Sequence, residues 1–320
     1  MSLSEFDIIE RYFSRRAAAR ADVVLGIGDD AALLQVPADR QLAVAMDTLV
    51  AGRHFPPQTA AFDIGWKALA VNLSDLAAMG ASPAWATLSL TLPEADDAWL
   101  AGFADGFFEL AERYRVELVG GDTTRGPLAV TVQVHGLVEP GRALRRSGAR
   151  AGQQLFVTGT PGDAACALQA LQSGDTVAPA LLQRLNRPEP RVDFGMALAG
   201  TGGAAAIDIS DGLLADLGHI LDAGQCGATL WIDRLPRSSG LASVQDEAAL
   251  GCQLYGGDDY ELCFSLDPGR AGQLEVLARQ QQLAVTRIGV IESQPGIRCR
   301  RDDGSLYTPQ GAGFDHFRVP

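Results

Sequence analysis

The sequence has 320 residues, a formal net charge of −13 and 47% apolar residues. Its length suits about two domains of about 150 residues each, its acidity argues against a general nucleic-acid binder, and its apolar runs are shorter than the roughly 18 residues of a membrane helix. Residues 1–20 contain acids and no apolar signal-peptide region. We therefore expect a cytoplasmic protein without membrane or nucleic-acid partners.

The N-terminal half alternates predicted helices and strands. Apolar residues at helical spacing predict helices over 6–16, 63–79 and 98–114, and Gly80 follows the second of these. Strands are predicted over 42–50, 85–92, 116–119 and 128–138. Gly120, Gly121 and Asp122 are predicted to form a turn between the last two strands.

The C-terminal half is also mixed. Strands are predicted over 154–158, 205–209, 260–264 and 284–291, with helices over 162–171 and 211–223 and a further helix between the last two strands. Residues 141–149 are rich in glycine and arginine, so we place the junction between two domains there. The predicted domains are 1–140 and 150–320.

The cysteines and histidines argue against disulfides and zinc. The five cysteines are odd in number and form no C-x-x-C pair, so reduced thiols are expected. None of the four histidines lies in an H-E-x-x-H pattern, which argues against a zinc hydrolase.

Aspartates recur at predicted strand ends and glycine turns, among small or apolar neighbours. Mg²⁺ prefers oxygen ligands and combines carboxylates with phosphate oxygens, and bound Mg²⁺ would let so acidic a chain accept an anionic substrate. The aspartates in such positions are Asp29, Asp30, Asp47, Asp75, Asp122, Asp208, Asp211, Asp258 and Asp259.

Each of these signals also has a purely structural interpretation. Any single aspartate is compatible with a turn or helix cap, the arginines near 145 with a solvated loop or a phosphate clamp, and His54 with a structural role. Gly159-Thr160-Pro161-Gly162 is not a P-loop, because it lacks the Gly-Lys-Ser/Thr ending. The co-occurrence of the aspartates favours a magnesium-dependent, ATP-using enzyme.

Taken in order, seven motifs resemble the thiamine-monophosphate kinase family, within the aminoimidazole ribonucleotide synthetase-like superfamily. The match covers almost the whole chain, and the blocks at 52–55 and 72–80 are the most specific to that kinase. The motifs are Gly26–Ala32, Met46–Phe55, Lys67–Gly80, Gly120–Gly126, Ile207–Leu213, Gly256–Leu262 and Gly313–Phe317.

The resemblance implies an N-terminal α/β domain that dimerises through its sheet, a C-terminal α+β domain, and ATP in the cleft between them. It implies that Gly121, Asp122, Arg146 and Ser210 bind ATP. Substrate positions fall on His54, Asp258 and Phe314. The implied ligands of several magnesium ions are Asp30, Asp47, Asp75, Asp122, Asp208 and Asp211.

The chain departs from the family pattern in two places. Ala45 and Met46 stand where family members often have hydroxyl residues that can serve magnesium, so neither is included in the expected site. Asp258 stands where the family usually has Glu, which keeps the carboxylate on a shorter stem.

The expected reaction is transfer of the terminal phosphoryl group of ATP to thiamine monophosphate. A phosphate acceptor is already largely dianionic at neutral pH, its second pKa being about 6, so no catalytic general base is expected. The alternatives are a related synthetase of the superfamily, acting on an amide or on selenide, and a non-catalytic nucleotide- or calcium-binding protein. A selenophosphate synthetase needs a reactive cysteine or selenocysteine near its N-terminus, whereas the first cysteine here is Cys166. The sequence contains no EF-hand loop, which argues against that kind of calcium-binding protein.

Overall fold

The computed structural model describes residues 4–14, 20–311 and 313. The described residues form two compact units, one drawn from Met1–Leu76 and Ala81–Gly141 and the other from Ala77–Gly80 and Arg142–Pro320. Each unit combines helices with a mixed sheet, so the expected two-domain aminoimidazole ribonucleotide synthetase-like fold class is confirmed. No helix in the described ranges is both long and apolar enough to cross a membrane.

The first unit contains two sheets. A small antiparallel pair joins β1 and β2, and the main sheet has four described strands in the order β3-β6-β4-β5. In this sheet β6 is antiparallel to both of its neighbours, whereas β4 and β5 are parallel. The elements are, in chain order, α1 (Glu5–Ile8, continuing as a π-helix over Ile9–Ser14), β1 (Val23–Leu25), β2 (Leu33–Leu34), β3 (Gln41–Val50), α2 (Ala61–Met79), β4 (Ser82–Leu92), α3 (Asp97–Tyr114), β5 (Glu117–Arg125) and β6 (Ala129–Val138).

Helix α2 begins two residues before the predicted start at 63 and ends as predicted. The apolar residues that gave the helical period, including Leu69, Leu73 and Leu76, are at most 1% exposed. They form the core of this unit together with the sheet, since a Cβ on Gly136 of β6 would lie 3.0 Å from Leu76 Cδ2. Of the helix predicted over 6–16, residues 15 and 16 lie outside the described residues.

The predicted turn at residues 120–122 is wrong, because β5 runs through it as a continuous strand. The register against β4 shifts between Ala86 and Thr87, which leaves Val119 as an extra residue in β5. Gly121 follows this bulge with φ +154°, and a Cβ there would lie 1.8 Å from Leu88 O. Glycine is therefore required by the close approach of two strands rather than by a turn.

The second unit is a mixed sheet with helices. Its described strands have the order β13-β12-β9-β11-β7-β10-β8, and the pairings are antiparallel except that of β12 with β9. The elements are β7 (Gln154–Thr158), α4 (Asp163–Ser173), α5 (Pro179–Asn186), α6 (Val192–Thr201), β8 (Ala205–Asp208), α7 (Leu213–Gly224), β9 (Gly227–Trp231), α8 (Asp246–Tyr255), β10 (Leu262–Leu266), α9 (Ala271–Gln280), β11 (Val285–Glu292), β12 (Gly296–Arg300) and β13 (Leu306–Tyr307).

The core of the second unit lies between α7 and the sheet. Leu213, Leu217 and Ile220 of α7 are fully buried in one cluster with Leu155 and Val157 of β7. This packing fixes the start of α7 directly after the end of β8, so the four residues between them form a tight turn over 209–212. That turn carries two of the residues expected to bind ATP and magnesium.

Candidate functional site

In the first unit, the structure brings the strand aspartate Asp47 together with helix α2. The backbone N–H of Asp47 donates to Asn72 Oδ1 at 2.9 Å, and Asn72 Nδ2 donates to Ala68 O at 3.0 Å. Asp75 follows Asn72 by three residues and so lies on the same face of the helix. The fully buried Asn72 therefore ties the two expected ligands, Asp47 and Asp75, to neighbouring parts of one surface.

Asp122 lies at a different place in the same sheet. Asp47 pairs with Val132, whereas Asp122 pairs with Ser89, which in turn pairs with Thr131. Both residues are exposed. They lie on strands β3 and β5, which are separated by three strand-to-strand spacings of about 4.8 Å each. The register therefore places Asp47 and Asp122 of one chain on the two edge strands of the main sheet, β3 and β5.

The register also separates the two residues that depart from the family pattern. Side chains alternate along a strand, so Ala45 shares the face of Asp47, whereas Met46 lies on the opposite face and is 61% exposed. Only position 45 is on the same face of β3 as the aspartate.

Asp30 and His54 lie in short local turns. Asp30 is exposed and donates its N–H to Asp29 Oδ1 at 2.8 Å, so the side chain of Asp29 closes the turn. His54 Nδ1 accepts from Val50 N at 2.9 Å just after β3, which places the proton of a neutral ring on Nε2. The His54 ring thus makes a structural contact with the backbone, which is compatible with the structural role considered for it.

In the second unit, the turn between β8 and α7 is organised by an acid that the sequence reasoning missed. The buried Asp216 Oδ2 accepts the N–H groups of Ser210, Asp211 and Gly212 at 3.0, 3.1 and 3.1 Å. Three donors on one oxygen fold the turn around it. The signal in the sequence is an acid four residues after Asp-Gly, where α7 begins.

The pKa of Asp216 reflects its burial and the negative charges near it. Burial raises its pKa to about 7, helped by the negative charges of Asp208 and Asp211, while the N–H donors oppose the shift. Asp208 is 5% exposed at the end of β8. The expected ligands Asp208 and Asp211 therefore both lie near Asp216, in an acidic environment that a cation would stabilise.

Asp258 lies beside the same turn. Its N–H donates to Ser210 O at 2.9 Å, and its φ is +70°, in the left-handed region. Aspartate adopts this conformation more readily than glutamate, which gives a backbone reason for the shorter side chain at this position. Arg146 is exposed in a 3₁₀ turn at Arg146–Gly148, and Phe314 lies outside the described residues.

Next to Asp258, the side chain of Asp259 is buried and titratable. It is 1% exposed, and burial raises its pKa well above the usual range, although the Gly162 N–H that it accepts at 2.8 Å and Arg184 act in the other direction. An acid with a raised folded pKa loses stability as pH rises from its unfolded pKa of about 3.9 towards the folded one, because the unfolded chain releases its proton first.

Asp259→Asn should therefore gain stability relative to the native chain as pH increases. Asparagine does not titrate and keeps an oxygen for Gly162 N–H. The difference in melting temperature between the two proteins, measured from about pH 4 to about pH 7.5, should move steadily in favour of the variant. Asp222→Asn, at the exposed end of α7, is the control. A difference that stays constant, or moves towards the native protein, contradicts the assignment.

The donor set fits magnesium in kind. The carboxylates of Asp47, Asp75, Asp122, Asp208 and Asp211 are hard oxygen ligands, and Mg²⁺ usually takes only one or two from protein together with phosphate oxygens and water. Within the part of the chain that the structure describes, no group of three His, Cys, Asp or Glu side chains is arranged to hold an ion alone.

Comparison with known proteins first gives the class. Residues 28–138, which include β3, α2 and β5, match the family described as AIR synthase related protein, N-terminal domain. The first unit is thus an AIR synthase-related N-terminal domain, and the two-unit fold is of the same class.

Full-length relatives narrow this class. The chain is 50% identical to the thiamine-monophosphate kinase of Salmonella typhimurium, with all of both chains covered. The solved thiamine-monophosphate kinase of Stenotrophomonas maltophilia K279a is 50% identical with a TM-score of 0.87, covering 96% of this chain and 99% of that one. A solved complex described as AaThiL with AMPPCP and TMP is 32% identical with a TM-score of 0.78, covering 91% and 92%. The chain belongs to the thiamine-monophosphate kinase family.

Proposed function

We propose that the chain catalyses the reaction of its family, in which ATP phosphorylates thiamine monophosphate to thiamine diphosphate and leaves ADP. The observation that carries this is full-length identity of 50% to a thiamine-monophosphate kinase. A relative of the same fold was solved with AMPPCP and TMP, which supports a nucleotide and a phosphorylated acceptor as the two substrates.

The reaction does not require the protein to remove a proton from the acceptor. The acceptor phosphate has a second pKa of about 6, so a phosphate oxygen can attack without a general base. The barrier is instead the approach of two anions in the correct alignment. Acidic residues achieve this only with bound cations, and magnesium would supply charge neutralisation between the two phosphate groups.

We infer roles for the residues from their positions in each unit. Asp47, Asp75 and Asp122 would hold magnesium in the first unit, where Asn72 ties Asp47 to the helix that carries Asp75. Asp208 and Asp211 would do the same in the second unit, and Asp30 is the remaining ligand. Gly121, Asp122, Arg146 and Ser210 would bind ATP, while His54, Asp258 and Phe314 would contact the acceptor.

The acceptor can be tested directly. ADP release should be measured with thiamine monophosphate, thiamine and the aminoimidazole ribonucleotide precursor side by side, with magnesium and with excess chelator. We expect turnover with thiamine monophosphate alone, because an alcohol needs a positioned base whereas a phosphate does not, and none in chelator. Thiamine turning over as fast as its monophosphate contradicts the proposal, and turnover of the precursor alone would favour a synthetase.

We also infer a homodimer formed through the first unit's sheet, in the cytoplasm that the five free cysteines favour. Strand β3 is at the edge of its sheet, and one of its faces carries Leu42, Val44 and Met46, which are 44%, 54% and 61% exposed. An exposed apolar edge strand is a surface that another chain can cover.

Val44→Glu should therefore dissociate the dimer, since it would bury a charge in the interface. Val276→Glu, a matched change at a 50% exposed valine of α9, should not. Light scattering is expected to give about twice the 33.7 kDa of one chain for the native protein and for Val276→Glu, but one chain for Val44→Glu. A native monomer, or a dimer in all three proteins, contradicts the inference.

A further inference from the structure

The segment from Asp258 to Glu261 combines unusual backbone geometry with two buried acidic side chains. Asp258 and Tyr260 both have left-handed φ angles, +70° and +52°, which non-glycine residues rarely adopt. They alternate with Asp259 and Glu261, which are 1% and 0% exposed. Conformations of this kind persist only where the surroundings hold them in place.

The Glu261 carboxylate accepts four hydrogen bonds from three residues. Arg184 Nη2 reaches Oε1 at 2.6 Å, Arg191 donates from Nε to Oε2 at 2.7 Å and from Nη2 to Oε1 at 2.5 Å, and Thr158 Oγ1 donates to Oε2 at 2.6 Å. Burial alone would raise the pKa of Glu261, but Arg191 and Arg184 outweigh it and lower that pKa. Gly159 leaves the space for this carboxylate, since a Cβ there would lie 2.0 Å from Oε1.

The same arginine also holds the backbone of the segment. Arg184 Nη2 donates to Asp259 O at 3.2 Å as well as to Glu261, and Asp259 Oδ2 accepts from Gly162 N at 2.8 Å. Arg184 lies in α5, Arg191 directly precedes α6, and Gly162 directly precedes α4. Asp259 and Glu261 therefore connect the segment to three helices.

The other side of the segment is bonded to the 209–212 turn. Asp258 N and Tyr260 N donate to Ser210 O and Ile209 O, each at 2.9 Å, and Ile209 N donates to Glu261 O at 2.8 Å. These bonds place Asp258 next to Ser210. A left-handed φ is unfavourable for Asp258 and Tyr260, so these bonds and the anchors on Asp259 and Glu261 act together to hold the segment in this conformation.

We propose that Glu261, acting through Arg184 and Arg191, is a positioning residue that holds Asp258 in the left-handed conformation beside Ser210 and so presents its carboxylate to the acceptor. The proposal rests on the proposed function, in which Asp258 contacts thiamine monophosphate. Glu261 itself is fully buried, so it acts on the acceptor only through the residues that it holds.

A double-mutant cycle between Glu261→Gln and Asp258→Asn tests this. Asp258→Asn should raise KM for thiamine monophosphate by about 10-fold or more, the size of one lost charge-assisted hydrogen bond. Glu261→Gln should raise the same KM and leave KM for ATP within about twofold. Because Glu261 acts through Asp258, the double variant should be no worse than Asp258→Asn alone.

Two further variants keep the test decisive. Arg191→Lys retains the charge beside Glu261 but loses the forked contact, so it should show a weaker form of the Glu261→Gln effect even where Glu261→Gln folds poorly. Glu292→Gln changes a glutamate of β11 that is likewise bonded to an arginine and a threonine, Arg298 and Thr229, and it should leave both KM values unchanged. Amide hydrogen exchange at Asp258 and Tyr260 should be faster in Glu261→Gln and Arg191→Lys only.

The outcomes distinguish the contact of Asp258 with the acceptor from the positioning role of Glu261. An unchanged acceptor KM in Asp258→Asn overturns the contact itself and the positioning proposal with it. A raised KM in Asp258→Asn whose effect multiplies with that of Glu261→Gln leaves the contact standing and overturns the positioning role alone. A Glu261→Gln effect of equal size on ATP overturns it too.

Discussion

Asp122→Asn should reduce kcat by about 100-fold or more, the usual cost of removing one electrostatic group from a charged transition state. The side chain is exposed on β5 and packs into no core, so its loss should leave the fold intact. The substitution keeps the shape of the side chain and removes only its charge. We expect the remaining activity to need more magnesium, because the variant would hold one ion less tightly.

The measurement is kcat at saturating ATP and thiamine monophosphate over a magnesium titration, with the melting temperature recorded in parallel. Asp39→Asn, at a 75% exposed aspartate of the same unit, is the matched control and should behave as the native protein. Turnover of Asp122→Asn within about threefold of the control at every magnesium concentration would remove Asp122 from the site.

The elements with a strong period could be predicted from the sequence, because burial of one face leaves a regular pattern. Helix α2 is the clearest case, since its buried leucines recur at helical spacing. The periodic patterns predicted helices and strands in both halves of the chain, and the family resemblance supplied the two-domain fold class, which was correct. Helices such as α5 and α8 are short, at 8 and 10 residues, and went unplaced.

The glycines were harder to interpret, because a glycine that forms a turn and one that admits a neighbouring strand look the same in sequence. The sequence predicts Gly121 in a turn, and the family resemblance implies that it binds ATP. In the structure its lack of a Cβ is already required by Leu88 O. The distinction depends on a parallel partner strand, β4, about 30 residues away, which local pattern cannot supply.

Positioning residues were missed because their partners are backbone groups or distant side chains. Asp216 was not singled out, although it holds the turn that carries Ser210 and Asp211. Glu261 meets Arg184 and Arg191, which lie 77 and 70 residues earlier. The acids expected to touch ligands recur at strand ends and glycine turns, whereas Asp216 lies among the apolar residues of α7.

Glu261→Ala should lower the free energy of unfolding by about 3 kcal/mol or more, because removing one partner of a buried ion pair leaves the others uncompensated. The carboxylate is 0% exposed and binds two arginines whose side chains are only 18% and 21% exposed. Its loss also removes the acceptor of Thr158 Oγ1.

The control is Glu292→Ala, which breaks a similar contact with Arg298 where the glutamate is 35% exposed. Water can replace the lost partner there, so we expect a cost of about 1 kcal/mol or less. Urea denaturation of both variants gives the comparison through the shift in midpoint at unchanged slope. If the two variants are destabilised equally, the Glu261 network is no stronger than a surface pair. A large loss confined to Glu261→Ala would show that the acid is needed to keep the arginines and the strained segment together.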